Sequence, residues 1–185
     1  MKTTLNKIRE HEPCKDGWEK LLSYLGKTKA DDEPLAITTI LDSNGLDDTI
    51  WCLRAVEGYD REIHLYAVWC ARQVQHLLTD QRSLDALDVA ERYANGEATG
   101  DELEAAWNAA RDAAEATRYA ALADCDAAAR ATCAAAYAAA LAAAASAAWA
   151  ATSAAASAAC EAAGTTRDEM RQRQADELRR ICEEG

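Results

Sequence analysis

At 185 residues the chain is long enough for one domain with a real core, and half of it is hydrophobic, although alanine inflates that share. The net charge of −12 is uneven: residues 31–126 hold seven Lys or Arg against 21 acids, whereas residues 1–30 are net basic and 127–185 nearly balanced. Such an acidic middle repels nucleic acid and anionic membrane and favours basic protein partners, although acids also keep an alanine-rich surface soluble.

Taken in order, Thr4 to Glu10 predicts a short helix that Pro13 and Cys14 interrupt. Asp16 is placed to cap a second helix carrying Trp18, Leu21, Leu22 and Leu25, which ends at Gly26. Pro34 suits the first turn of a helix through Leu41, where a missing N–H costs nothing. After the turn Ser43-Asn44-Gly45, Leu46 to Val56 sets Leu46, Ile50, Trp51 and Leu53 along one apolar face. Tyr59 to Leu78 is the best-defined helix of this half, with Ile63, Tyr66, Ala67, Cys70, Val74 and Leu77 on one face. Ser83 is placed to cap a helix from Leu84 to Ala94 that Asn95-Gly96 ends.

Thr99 or Gly100 opens the alanine-rich part, with Asp101, Glu102 and Glu104 in its first turn. From Ala131 to Cys160 there is no charge at all, and Tyr137, Leu141 and Trp149 are the only large side chains. Alanine is the best helix former, and an uncharged helix needs cover over most of its circumference. This stretch is longer than the roughly 20 residues that span a bilayer. It lacks the Leu, Ile, Val and Phe that drive insertion, however, and no Lys or Arg cluster flanks it. One helix from Asp101 to Ala163 would be about 95 Å long, against a radius of gyration of about 16 Å for a compact chain of this size. The run must therefore bend, with Asp124-Cys125-Asp126 the favoured hinge and Ser146 a second candidate. Gly164 ends the tract, and Thr166 with Glu169 makes a capping-box pattern for a last helix to Cys182. No strand pattern is visible. The expected fold is all-α: a single domain over 1–185 in which short amphipathic helices (1–98) and a C-terminal helix (165–185) pack around a central Ala-rich tract (99–164). Trp107, Tyr119, Tyr137 and Trp149 should be largely covered by the amino-terminal helices.

Chemistry is sparse. His64 and His76 sit about 18 Å apart along one helix and cannot share a metal. No HExxH, zinc knuckle, Walker loop or GxGxxG occurs, so neither a metal nor a cofactor is expected, and no catalytic residue is nominated. The seven cysteines, Cys14, Cys52, Cys70, Cys125, Cys133, Cys160 and Cys182, are scattered without a CxxC, and Met1 to Glu12 is too polar for a signal peptide. Reduced thiols acting as small core side chains in a cytoplasmic protein follow from that. The candidate partner-binding residues are Asp42, Asp47, Asp48, Asp60 and Glu62, an acidic surface around a turn. Helix caps, dipole partners and ion pairs between adjacent helices explain the same carboxylates, and for Asp47 and Asp60 they are the favoured explanation. Should the acidic surface fail, Trp18, Tyr24 and Tyr59 are the alternative anchors.

The segment DSNGLDDTIWCLRAVEGYDREIHLYAVWCARQVQHL, then SLDALDVAERYANGEATGDEL and an alanine-rich helical tail, resembles bacterial immunity proteins associated with polymorphic toxin systems. The resemblance runs from Asn6 to Leu103 by motif and over the remainder by alanine pattern. It implies a protein-binding inhibitor of a cognate toxin, and it supplies a role without an active site. Similar small helical chains occur in prophages, which makes an anti-CRISPR-type inhibitor of bacterial defence, blocking a basic nucleic-acid groove, the alternative. A helical cage for a small signalling molecule is a third, weaker reading.

Overall fold

A computed structural model describes residues 1–78, 80–120 and 167–184, with the side chains of 114–120 and 167 excepted. The described chain is all-α apart from one very short sheet. Eight helices are described: α1 (Leu5–Glu10), α2 (Lys15–Leu25), α3 (Ile37–Asn44), α4 (Leu46–Cys52), α5 (Asp60–Arg72), α6 (Gln81–Ala94), α7 (Gly100–Ala120) and α8 (Arg167–Glu184). Turns of 3-10 helix at Leu53–Ala55 and Gln75–Leu77 extend α4 and follow α5.

The sheet corrects two expectations. Strand β1 (Lys2–Thr3) pairs antiparallel with β2 (Leu35–Ala36), Lys2 opposite Ala36 and Thr3 opposite Leu35. Two-residue strands are too short to show an alternating pattern, so none was visible. Pairing also holds Leu35 and Ala36 extended, so Pro34 precedes a strand and the helix starts at Ile37, whose N–H donates to the Met1 carbonyl at 3.3 Å. The Thr3 hydroxyl donates to the Ala55 carbonyl at 2.5 Å, and the Met1 amino group to the Cys182 carbonyl of α8 at 2.7 Å. The first residues thus tie β2, the end of α4 and the end of α8 together.

Helix boundaries follow the caps. Cys14, not Asp16, caps α2, its Sγ accepting from the Gly17 N–H at 3.4 Å; Asp16 lies in the first turn instead. Asp80, not Ser83, caps α6, because its carboxylate takes the Arg82 N–H at 2.9 Å and the Arg82 guanidinium at 2.7 Å. Ser83 is fully buried, and its hydroxyl finds no hydrogen-bond partner among the described residues. Helix α5 stops at Arg72, six residues before Leu78, and Arg72 turns to Gln75, Asp88 and Glu91 at 2.7, 2.9 and 2.5 Å. Thr99 and Glu102 close a capping box at the start of α7, each side chain accepting from the other's backbone N–H, at 3.2 and 2.8 Å.

The described core lies in the amino-terminal half, α7 and α8. Leu5, Ile8, Ile37, Ile40, Ile50, Leu53, Tyr66, Val74, Leu87, Leu103 and Leu178 are all essentially inaccessible. Helix α8 packs on α3, α4 and α5, and the Tyr66 hydroxyl donates to the Gln174 carbonyl at 3.1 Å. Helices α6 and α7 make the most extensive contact, where Ala86, Ala90, Ala110 and Ala113 are buried and methyl groups let the backbones approach closely. Trp107 is half-buried, with the Arg111 guanidinium 4.8 Å from its ring centroid. The side chain of Tyr119, and Tyr137, Trp149, the hinge candidates Asp124-Cys125-Asp126 and Ser146, and the Thr166 cap lie outside the described residues.

Candidate functional site

The site grows from the corner between α3 and α4. Gly45 sits at φ +90°, in the region that favours glycine, and is the single residue between the end of α3 and the start of α4. That tight corner brings Asn44 and Asp48 together at the amino-terminal end of α2, with Asp47 beside them at the rim of the cleft. The Asn44 amide donates to the Gly17 carbonyl and to the Asp48 carboxylate, both at 2.8 Å, and so stitches α2 to α4.

Between α1, α2, α3 and α4 this corner leaves a cleft of about 230 Å³. Ile8, Leu21, Ile40 and Cys52 are its buried floor, and half-buried Pro13, Trp18 and Trp51 its walls. Gly17, Cys14, Asn44, Asp47 and Asp48 surround the mouth. The Arg54 guanidinium lies 4.3 Å from the Trp51 ring centroid and donates to the Trp51 carbonyl at 2.8 Å, without itself lining the cleft. The Cys52 thiol is pushed up to about 12, by burial first and by the nearby Asp48 charge second, so it stays protonated.

The five predicted carboxylates fall into different surroundings. Asp42 pairs with Arg179 of α8 at 2.5 Å. Asp47, at the rim of the cleft, pairs with Arg171 of α8. Asp48 is half-buried, and among the described residues no Lys or Arg pairs with it; its hydrogen bond comes from a neutral amide. Asp60 is exposed in the first turn of α5, its backbone carbonyl accepting from His64 Nδ1 at 2.8 Å. Glu62 is 3.4 Å from Arg61 and lines a separate groove between α5 and α8 with Trp69, Arg72 and Arg180. The structure therefore brings Asp47 and Asp48 to one cleft, places Asp42 on the neighbouring α8 contact, and sets Asp60 and Glu62 elsewhere.

Local sequence did not point to Gly17, Cys14 and Asn44 as neighbours of Asp48, since that meeting depends on how α2 packs on α3. Of the alternative aromatic anchors, Trp18 lines the cleft, Tyr24 is exposed and Tyr59 is half-buried. Among the described residues no three His, Cys, Asp or Glu side chains gather as a metal would need, and no helix is long and apolar enough to cross a membrane. No family model, curated protein or solved structure matches the chain.

Proposed function

We propose that the chain is a protein-binding inhibitor, most simply an immunity protein that neutralises a bacterial toxin, and that it acts by covering its partner's surface and performs no reaction. The observation that carries this reading is Asp48, a half-buried carboxylate without a cationic partner among the described residues, at the mouth of an apolar cleft walled by two tryptophans. Aromatic side chains in a concave apolar site beside an unneutralised charge are the usual anchors of a protein contact. The acidic surplus of residues 31–126 supports a basic partner. Among the described residues, the free thiols of Cys14, Cys52 and Cys182 agree with a reducing cytoplasm as the place of action.

Co-purification from the native host, followed by reconstitution from purified components, tests the proposal. A toxin that forms a stoichiometric complex and loses activity in it supports immunity. Capture of a nucleic-acid-binding defence effector through its basic groove would replace immunity with defence inhibition. A chain that turns over a substrate without any protein partner would refute both.

A further inference from the structure

We propose that the cleft between α2 and α4 receives one bulky apolar side chain of the protein partner while Asp48 takes a lysine or arginine beside it in the partner's sequence. This rests on the inhibitor reading and names the chemistry of its contact. Size comes first. Pockets for drug-sized ligands run to about 300–1,000 Å³, and the cleft, at about 230 Å³, suits a single large side chain better than a cofactor. Its floor of Ile8, Leu21, Ile40 and Cys52 offers apolar contact throughout.

Charge then sets what stands beside that side chain. Asp47 is already matched by Arg171, and Asp42 by Arg179, so neither needs an external cation. Asp48 differs, because among the described residues its hydrogen-bond donor is the Asn44 amide, which brings no charge. A half-buried carboxylate gains most from a cation that arrives together with apolar surface, since the same contact excludes water and strengthens the pair. An acidic neighbour would be repelled, and an apolar residue alone would leave the charge desolvated. The favoured partner motif is therefore an aromatic or branched residue next to Lys or Arg.

Two substitutions isolate this chemistry with little damage to the fold. Asp48→Asn keeps one oxygen that can accept from Asn44, removes the charge and replaces the other oxygen by an NH2 donor. Gly17→Ala places a methyl 2.8 Å from Asp48 Oδ2 and 3.1 Å from Cys14 Sγ, so the carboxylate must swing away at the cleft mouth. Gly17 lies inside α2 without a positive φ, so alanine suits its backbone.

The probe is acetyl-Phe-Lys-amide, with acetyl-Phe-Glu-amide, acetyl-Gly-Lys-amide and phenethylamine as comparisons. The readout is the pair of indole N–H resonances of Trp18 and Trp51 in the full chain. Phe-Lys should shift both saturably at millimolar concentration, and both controls that lack one element should bind less well. Asp48→Asn and Gly17→Ala should each weaken Phe-Lys by about fivefold while both variants still melt cooperatively as folded proteins. No saturable shift, equal binding of Phe-Glu, or binding unaltered by Asp48→Asn would overturn the proposal. Phenethylamine binding more tightly than the dipeptide would overturn it in favour of a small-amine site. A toxin that is inhibited while the dipeptide leaves both indoles unmoved refutes the cleft alone; dipeptide binding by a chain that captures no protein partner refutes the inhibitor reading alone.

Discussion

Neutralising Asp42 and Asp47 together separates the two explanations of the acidic surface. Each carboxylate meets an arginine of α8 more than a hundred residues away, Arg179 and Arg171 respectively. Exposed pairs of this kind contribute about 0.2–1 kcal/mol each, held down by solvent screening and side-chain entropy. Arg171 is only 19% exposed, whereas Asp47 is 70% exposed, so losing Asp47 leaves a mostly covered guanidinium without its anion and belongs toward the upper end. Asp42→Asn with Asp47→Asn should therefore lower stability by about 0.4–2 kcal/mol, or Tm by about 1–8 °C for a chain this long. Thermal melts of the double variant, of Arg171→Gln with Arg179→Gln, and of the quadruple variant close a cycle. The loss from the quadruple variant should fall short of the sum of the two doubles, and the difference should shrink in molar salt, where the screening length is about 3 Å. Strict additivity, an unchanged Tm and a collapse of partner association in the Asp double variant would refute the reasoning, and would assign both carboxylates to the partner.

Three further outcomes follow from the fold and its ionisable groups. Leu178→Ala empties a fully buried site where α8 meets the core, and should cost about 2–5 kcal/mol, a fall in Tm of about 4–20 °C on thermal melting. Glu102 is held below the ordinary glutamate range by the Thr99 backbone N–H, then the Thr99 hydroxyl, then Arg92. Its contribution is complete above the unfolded-state pKa and disappears as pH falls through the lower folded value, so NMR titration should find a depressed midpoint that Thr99→Ala raises. Cys52, with its thiol pushed up to about 12, should resist iodoacetamide at mildly alkaline pH while exposed Cys14 reacts, as peptide mapping would read directly.

Much of the helical scheme was legible because its signals are local. Gly26 adopts φ +64° where the end of α2 was expected, and the acids in the first turns of α4, α5 and α7 lie where dipole arguments put them. Ile63, Tyr66, Ala67 and Cys70 lie on the buried face of α5 as their spacing implied, while beyond the helix end Val74 is buried and Leu77 only half-buried. What escaped the sequence is non-local. Leu35 and Ala36 are extended because β1 pairs with them, and Cys14 caps α2 although cysteine is not a preferred capping residue. The partners of Asp42 and Asp47 lie on α8, at separations that no periodicity encodes. Asp48 was singled out with its neighbour from sequence, but its cleft exists only because Gly45 folds α4 back beside α3 and α2 packs against α3.

The most direct test is the association rate of the purified partner with the wild-type chain and with Asp48→Asn across a range of salt concentrations. Steering by an acidic surface predicts a rate that falls steeply as salt rises, and a slower, less salt-sensitive rate for the variant, with faster dissociation as the anchored cation loses its carboxylate. Association and dissociation rates indifferent both to salt and to Asp48→Asn would contradict the account.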